Sequence, residues 1–337
     1  MLIQKFNDAM QSASQVAQDA YLVHLRGALA ILDAAHSSEP ELAAYTITLD
    51  VLLSDPNFGV NPHLTNKFAQ ILGEAHFWLM CHARGTRLTR IPEAKNKKTP
   101  DFSATLSNQT IYFEVKTLSV VGGDAGIAGS LESSLEAYID LEAQQRTGKL
   151  VAIAESEAQP YGDKVVRDKT VLGVINTLVE KARGNIKADQ FAALNTFLVI
   201  NLSVIPPLIT EPKALRPAYP DNFMFPKAVT GDLWTLAFGK TGMPILGNPE
   251  FEGKACVEGI FDKIGILEEH DFVTGIIFMI HPWERSSELW GLFRSADVSK
   301  WNDANPDLLE TLFSLTGKFW NDCGDTNGWQ LQAQTGT

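Results

Sequence analysis

The chain encodes an α/β protein, with helices expected on both faces of a central sheet, and three observations carry that reading. Apolar residues recur at helical spacing through much of the first 83 positions. Short β-prone segments separated by turn residues then crowd into positions 86 to 118. Further helical periodicity follows, ending in compact apolar runs at Phe197 to Ile200 and Gly275 to Ile280, which suit strands buried on both faces.

In chain order, Val16, Ala20, Leu22 and Val23, then Leu25, Ala28, Leu29 and Leu32, mark a helical start. His36 to Pro40 interrupts it, and Glu41 to Leu53 resumes it until Asp55-Pro56. A strong helix is expected over Lys67 to Ala83, with Phe68, Ile71, Leu72, Ala75 and Leu79 as its apolar stripe and Gly85 as its stop. Three strand candidates follow: Thr86 to Ile91, Asp101 to Leu106, and Thr110 to Leu118. The turn-like Ser107-Asn108-Gln109 should join the last two as a hairpin. Gly122 to Gly126 reads as a loop, Leu131 to Thr147 as a helix, and Val165 to Phe191 as another with a break at Gly184. Phe197 to Val204 is a buried strand ended by Pro206-Pro207, and Phe272 to Ile280 a final strand. The expected organisation is a helical N-terminal cap over 1–60, a core over 61–205, and a C-terminal extension over 206–337 that adds a late strand to the core.

Composition excludes several classes. The 337 residues are 45% hydrophobic and 20% charged, enough to bury a core without disulfides or structural metals. Cys81, Cys256 and Cys323 are far apart and form no CxxC pair, so neither a disulfide framework nor a zinc knuckle is indicated. No signal peptide is visible and no apolar run is long enough to span a bilayer, so a soluble cytoplasmic protein without a membrane partner is expected. No GxxxxGK[ST] or GxGxxG stretch occurs, which argues against ATP hydrolysis and dinucleotide binding. His63, His76 and His82 lack metal-ligand spacing. Six of seven tryptophans lie after residue 230 with few basic residues among them, a pattern of core rather than base stacking. The net charge of −12 repels phosphate on average, yet Arg84 to Lys98 holds six basic residues against one acidic, a local patch able to face phosphate.

That basic run leads into the constellation that carries chemistry: Pro100-Asp101, twelve intervening residues, then Glu114-Val115-Lys116. Side chains alternate along a strand, so Glu114 and Lys116 share one face, while the apolar Ile111, Phe113 and Val115 share the other. A hairpin brings Asp101 beside Glu114. Two carboxylates so placed repel unless a cation lies between them, and oxygen ligands with no His or Cys nearby favour Mg²⁺ or Mn²⁺. A metal held by Asp101, Glu114 and the Val115 carbonyl would serve phosphodiester hydrolysis, with Lys116 stabilising the charge that builds on phosphorus or orienting the attacking water.

These residues resemble the PD-(D/E)XK nuclease superfamily. The resemblance spans roughly residues 65 to 205 and rests on Pro100-Asp101 and Glu114-Val115-Lys116. It implies a restriction-endonuclease-like core with a central mixed sheet flanked by helices, magnesium dependence, and cleavage of nucleic acid, DNA ahead of RNA. It also implies that Glu74, on the upstream helix, stands where many members carry a further acidic metal ligand, and that Gln190 resembles a polar helix position some members add beside the site. Lys164 and Arg167 are weaker candidates for phosphate contact. The alternative is a catalytically silent scaffold of the same fold that binds nucleic acid or a protein partner. A homodimer would suit an enzyme that cuts two strands, and a partner chain would suit a defence or toxin effector that gains activity only on assembly.

Overall fold

The computed structural model describes residues 1–12, 25–58, 61–92, 98–118, 137–149, 151–154, 180, 183–184, 186–193, 195–202, 216–218, 228–230, 232–242, 244–246, 257–280, 287–294 and 306–321. The chain divides into two compact units: Met1–Met80 with Thr117–Lys169 and Val204–Pro206, and Cys81–Lys116 with Thr170–Ser203 and Pro207–Thr337.

The first unit is helical. It contains α1 (Leu2–Ser12), α2 (Leu25–Ala35), a 3-10 turn at Pro40–Leu42, α3 (Ala43–Leu53), and α4 (Pro62–Ala83) as far as Met80. Residues 137–146 are also helical. Leu25, Leu29 and Leu32 recur every three or four residues and are buried, so this stripe is the inner face of α2. The rings of Phe6, Phe58 and Phe68 meet at centroid distances of 5.1 to 6.4 Å, which joins α1 to the start of α4. The first turn of α1 is satisfied from α2, because Asp33 accepts the backbone N–H groups of Leu2 (2.9 Å) and Ile3 (2.8 Å).

The second unit is built on a mixed, open, seven-stranded sheet. Its strands are β1 (Thr89–Arg90), β2 (Phe102–Leu106), β3 (Gln109–Thr117), β4 (Thr196–Asn201), β9 (Gly275–Ile280), β10 (Glu288–Phe293) and β11 (Gly317–Asn321), adjacent in that order. β1, β2 and β3 form an antiparallel meander; β4 and β9 are parallel, β9 and β10 antiparallel, and β10 and β11 parallel. Two small ribbons, β5 (Arg216–Ala218) with β6 (Ala228–Thr230) and β7 (Pro244–Leu246) with β8 (Val257–Ile260), stand apart from it. The helices here are α5 (Asp232–Phe238), α6 (Ile266–Glu269) and α7 (Pro306–Thr316).

One face of the sheet carries a row of aromatic rings. Phe102 is in register with Phe113, whose ring lies 6.0 Å from that of Phe197; Phe197 meets Phe293 at 5.8 Å, and Phe293 meets Phe313 of α7 at 5.8 Å. Phe197 on β4 and Phe293 on β10 touch across the intervening β9 because Gly275 is the residue in register with both. A Cβ at Gly275 would stand 2.8 Å from the Phe293 ring and 3.3 Å from the Phe197 ring.

The hairpin forms where the sequence suggested, with a tighter turn. Ser107 (φ 48°) and Asn108 (φ 61°) alone close it, and Leu106 pairs with Gln109. Two successive left-handed residues match the right-handed strand twist. Three expectations need correction. The basic segment Thr86 to Ile91 contributes only two strand residues, because Thr89 and Arg90 alone pair with β2, opposite Ser103 and Phe102; Thr86 and Leu88 are buried before that pairing begins. The helix expected to end at Phe191 is, over Ala188–Phe191, a 3-10 turn. Finally, the sheet receives β10 and β11 as well as the late strand foreseen at β9. The Gly122 to Gly126 loop, and most of the 165–191 segment, lie outside the described residues.

Candidate functional site

β3 is two-faced, and its apolar side decides where its polar side looks. Ile111, Phe113 and Val115 are buried. Glu114 and Lys116 alternate with them and so project together from the opposite face. Asp101 immediately precedes β2, beyond the last paired residues Phe102 and Phe113. Its backbone continues the sheet by a few bonds, donating to the Phe113 carbonyl at 3.0 Å and accepting from Ile91 N–H at 2.9 Å. Its side chain then takes over the pairing role: Asp101 Oδ2 accepts the Val115 N–H at 2.7 Å. The carboxylate is thereby held beside Val115, on the β2 side of β3. Tyr112 N–H bonds instead to Asn195 at 3.0 Å, on the β4 side. Because N–H and C=O of one strand residue point the same way, the Val115 carbonyl faces the Asp101 side.

Glu114 does not sit on an open polar face, as strand alternation alone would suggest, but is buried, with 2% of its surface accessible. Its two oxygens differ. Oε1 accepts from Lys116 Nζ and from Gln190 Nε2. Oε2 is buried with no hydrogen-bond partner, and so is Oε1 of Gln190. Burial, reinforced by the negative charge of Asp101, pushes the Glu114 pKa up to about 7, against the opposing pull of Lys116 and Lys98. Lys116 remains partly open to solvent, with 21% of its side chain accessible, so its amine can reach both Glu114 and an incoming group.

Gln190 reaches the site from the 3-10 turn that precedes β4. The turn is anchored by buried Ile186 and Phe191, the latter with its ring 5.7 Å from that of Phe272. Gln190 itself is buried and its amide is directed at Glu114, across 76 residues of sequence. Hydrophobic periodicity put this residue on the tail of a long helix; the resemblance alone pointed to it as a polar position beside the site, without naming Glu114 as its partner. Lys98, whose charge acts on Glu114, was visible only as one member of a basic run.

The other sequence candidates are placed as follows. Glu74 lies on α4 within the first unit, where the Tyr45 hydroxyl donates to it at 3.3 Å. Among the described residues, no three His, Cys, Asp or Glu side chains converge into a metal-holding group. His63 and His82 are exposed and His76 is buried. Arg84, Arg87, Arg90 and Lys98 of the basic run are exposed; residues 93–97, and Lys164 and Arg167, lie outside the described residues. Trp234 is buried against Phe238, a core role, while Trp283, Trp301 and Trp329 lie outside the described residues. Cys81 is buried and unpaired, and burial raises its thiol pKa; Cys256 and Cys323 lie outside the described residues. Among the described residues no helix is long and apolar enough to cross a membrane. Compared with protein-family models, with curated proteins and with solved structures, the chain matches none.

Proposed function

We propose that the protein is a divalent-metal-dependent nuclease of the restriction-endonuclease-like type, hydrolysing phosphodiester bonds of nucleic acid, with DNA the expected substrate ahead of RNA. One observation carries the proposal. A buried carboxylate, Glu114, is held rigidly through one oxygen by Lys116 and Gln190, lies close to a second carboxylate, Asp101, and keeps its other oxygen without a partner. The antiparallel meander β1 to β3 followed by β4 supports the fold part of the reading.

The donor set fits Mg²⁺ or Mn²⁺. All its atoms are hard oxygens: the carboxylates of Asp101 and Glu114, and the Val115 carbonyl on the same strand edge. A cation between the two carboxylates would offset the burial and mutual repulsion that raise the Glu114 pKa. Such a cation supplies Lewis acidity and a more acidic water. The chain's own part is positioning. Val115 N–H holds Asp101, Gln190 holds Glu114, and Lys116 brings a positive charge to the place where a phosphodiester gains negative charge in the transition state.

The net charge of −12 favours a second reading, a catalytically silent nuclease-fold scaffold, because the mean field opposes nucleic-acid binding. Incubation of the full chain with duplex DNA, single-stranded DNA and RNA, in Mg²⁺, Mn²⁺ or EDTA, separates the two. The expected result is cleavage in Mg²⁺ or Mn²⁺, none in EDTA, and a loss of at least about a hundredfold in Asp101→Ala and Lys116→Ala. Undiminished cleavage by either variant removes that residue from the mechanism, and uptake of metal without cleavage of any substrate favours the scaffold.

A further inference from the structure

We infer that the side-chain oxygen of Gln190 is itself a metal ligand, completing with Asp101 and Glu114 an all-oxygen site for one hard divalent cation. The inference rests on the metal site of the nuclease reading and adds to it a residue that the carboxylate motif does not contain. Its basis is a pair of unsatisfied atoms on adjoining groups. Glu114 Oε2 and Gln190 Oε1 are both buried, both acceptors, and both without a donor, although the two side chains are hydrogen-bonded to each other through Gln190 Nε2 and Glu114 Oε1. The residues are more than nine-tenths buried, at 2% and 8% accessible. Folded proteins pair nearly all buried acceptors, so two orphaned acceptors on side chains that are hydrogen-bonded to each other call for a partner, and one cation can serve both.

The orientation of the amide follows from chemistry. Glu114 Oε1 is an acceptor that also takes the Lys116 amine, so turning the amide over would set oxygen against oxygen, acceptor to acceptor. The Nε2 contact therefore commits the Gln190 oxygen to face away from Glu114 Oε1. A neutral amide oxygen is an ordinary ligand for hard cations. It also solves a shortage, since among the described residues no third His, Cys, Asp or Glu joins Asp101 and Glu114. Two carboxylates and one amide carry two negative charges, matched to a divalent ion without a third carboxylate that would need burying. Gln190 thus acts twice, its nitrogen fixing the Glu114 rotamer and its oxygen facing the ion.

Isothermal titration of the metal-free full chain with Mn²⁺ tests this without reference to cleavage. Wild type should take up Mn²⁺, Gln190→Leu should bind at least tenfold more weakly, and Gln190→Glu should bind more tightly than wild type, because it presents a charged oxygen at the same reach. Circular dichroism of each variant checks that the fold is retained, and Gln190→Glu supplies the test should Gln190→Leu not fold. The two substitutions separate the roles of the amide: a residue that only steadied Glu114 would make Gln190→Glu the weaker binder, through lost donation and added repulsion. Wild-type affinity in Gln190→Leu, or weaker binding in Gln190→Glu, overturns the inference while leaving a metal site of Asp101 and Glu114 intact. Absence of any Mn²⁺ uptake by wild type overturns both this inference and the nuclease reading beneath it.

Discussion

Glu114 is where burial and charge are most in conflict. A carboxyl that holds its proton to about pH 7 when folded, against an ordinary value of 4.5, destabilises the fold progressively as pH rises between those values. The sign is fixed by proton counting: over that window the folded state binds more protons than the unfolded one, so rising pH favours unfolding. With about 1.4 kcal/mol per pKa unit, the loss is roughly 3 kcal/mol by pH 8. Glu114→Gln in EDTA should therefore be more stable than wild type at pH 8 by up to roughly 3 kcal/mol and should converge with it near pH 4.5. Urea denaturation across that range is the check, and a variant less stable at pH 8 would show that the carboxylate is already satisfied there. Added Mg²⁺ should stabilise wild type and leave the variant nearly unchanged, because a ligand that binds only the folded state shifts unfolding by mass action.

β9 shows how one small residue sets the order of a sheet. Gly275 lacks the side chain that would separate Phe197 from Phe293, and so the aromatic row runs unbroken from β3 to α7. Gly275→Ala should cost about 1–3 kcal/mol, the usual range for overfilling a close-packed core, since its Cβ would also press on the Leu292 carbonyl at 3.1 Å. A thermal or urea melt reads the loss; an unchanged midpoint would mean the rings can part without strain. The same strand explains why the site is held firmly. β4 and β9 are buried along their whole lengths, and the turn bearing Gln190 is the direct approach to β4.

Charge at the level of the entire chain opposes the proposed substrate. The net −12 repels phosphate, so affinity for nucleic acid must come from local groups and from a bound cation. Duplex DNA should accordingly bind Lys116→Ala, the variant expected to lose cleavage, more tightly in Ca²⁺ than in EDTA at matched ionic strength. Fluorescence anisotropy with labelled duplex measures it. Equal affinity in the two buffers would mean that Asp101 and Glu114 do not face the DNA.

Much of the sheet was legible in the residue order because its signals are local. Period-two alternation marked β3, the uniform apolar runs marked β4 and β9, and Ser107-Asn108 marked the hairpin turn. The hairpin in turn brought Asp101 to Val115, beside Glu114, a contact only fourteen residues apart in the chain. The joining of Gln190 to Glu114, the burial of Glu114 and the accession of β10 and β11 to the sheet lay beyond that reach. Each depends on what comes to lie beside a residue from a distant part of the chain, and neither hydrophobic period nor motif spacing encodes a partner 76 residues away. Local sequence supplied the two carboxylates and the lysine, and the resemblance pointed to Gln190; long-range assembly supplied the bond from that amide to Glu114 and the low-dielectric surroundings that change what those groups can do.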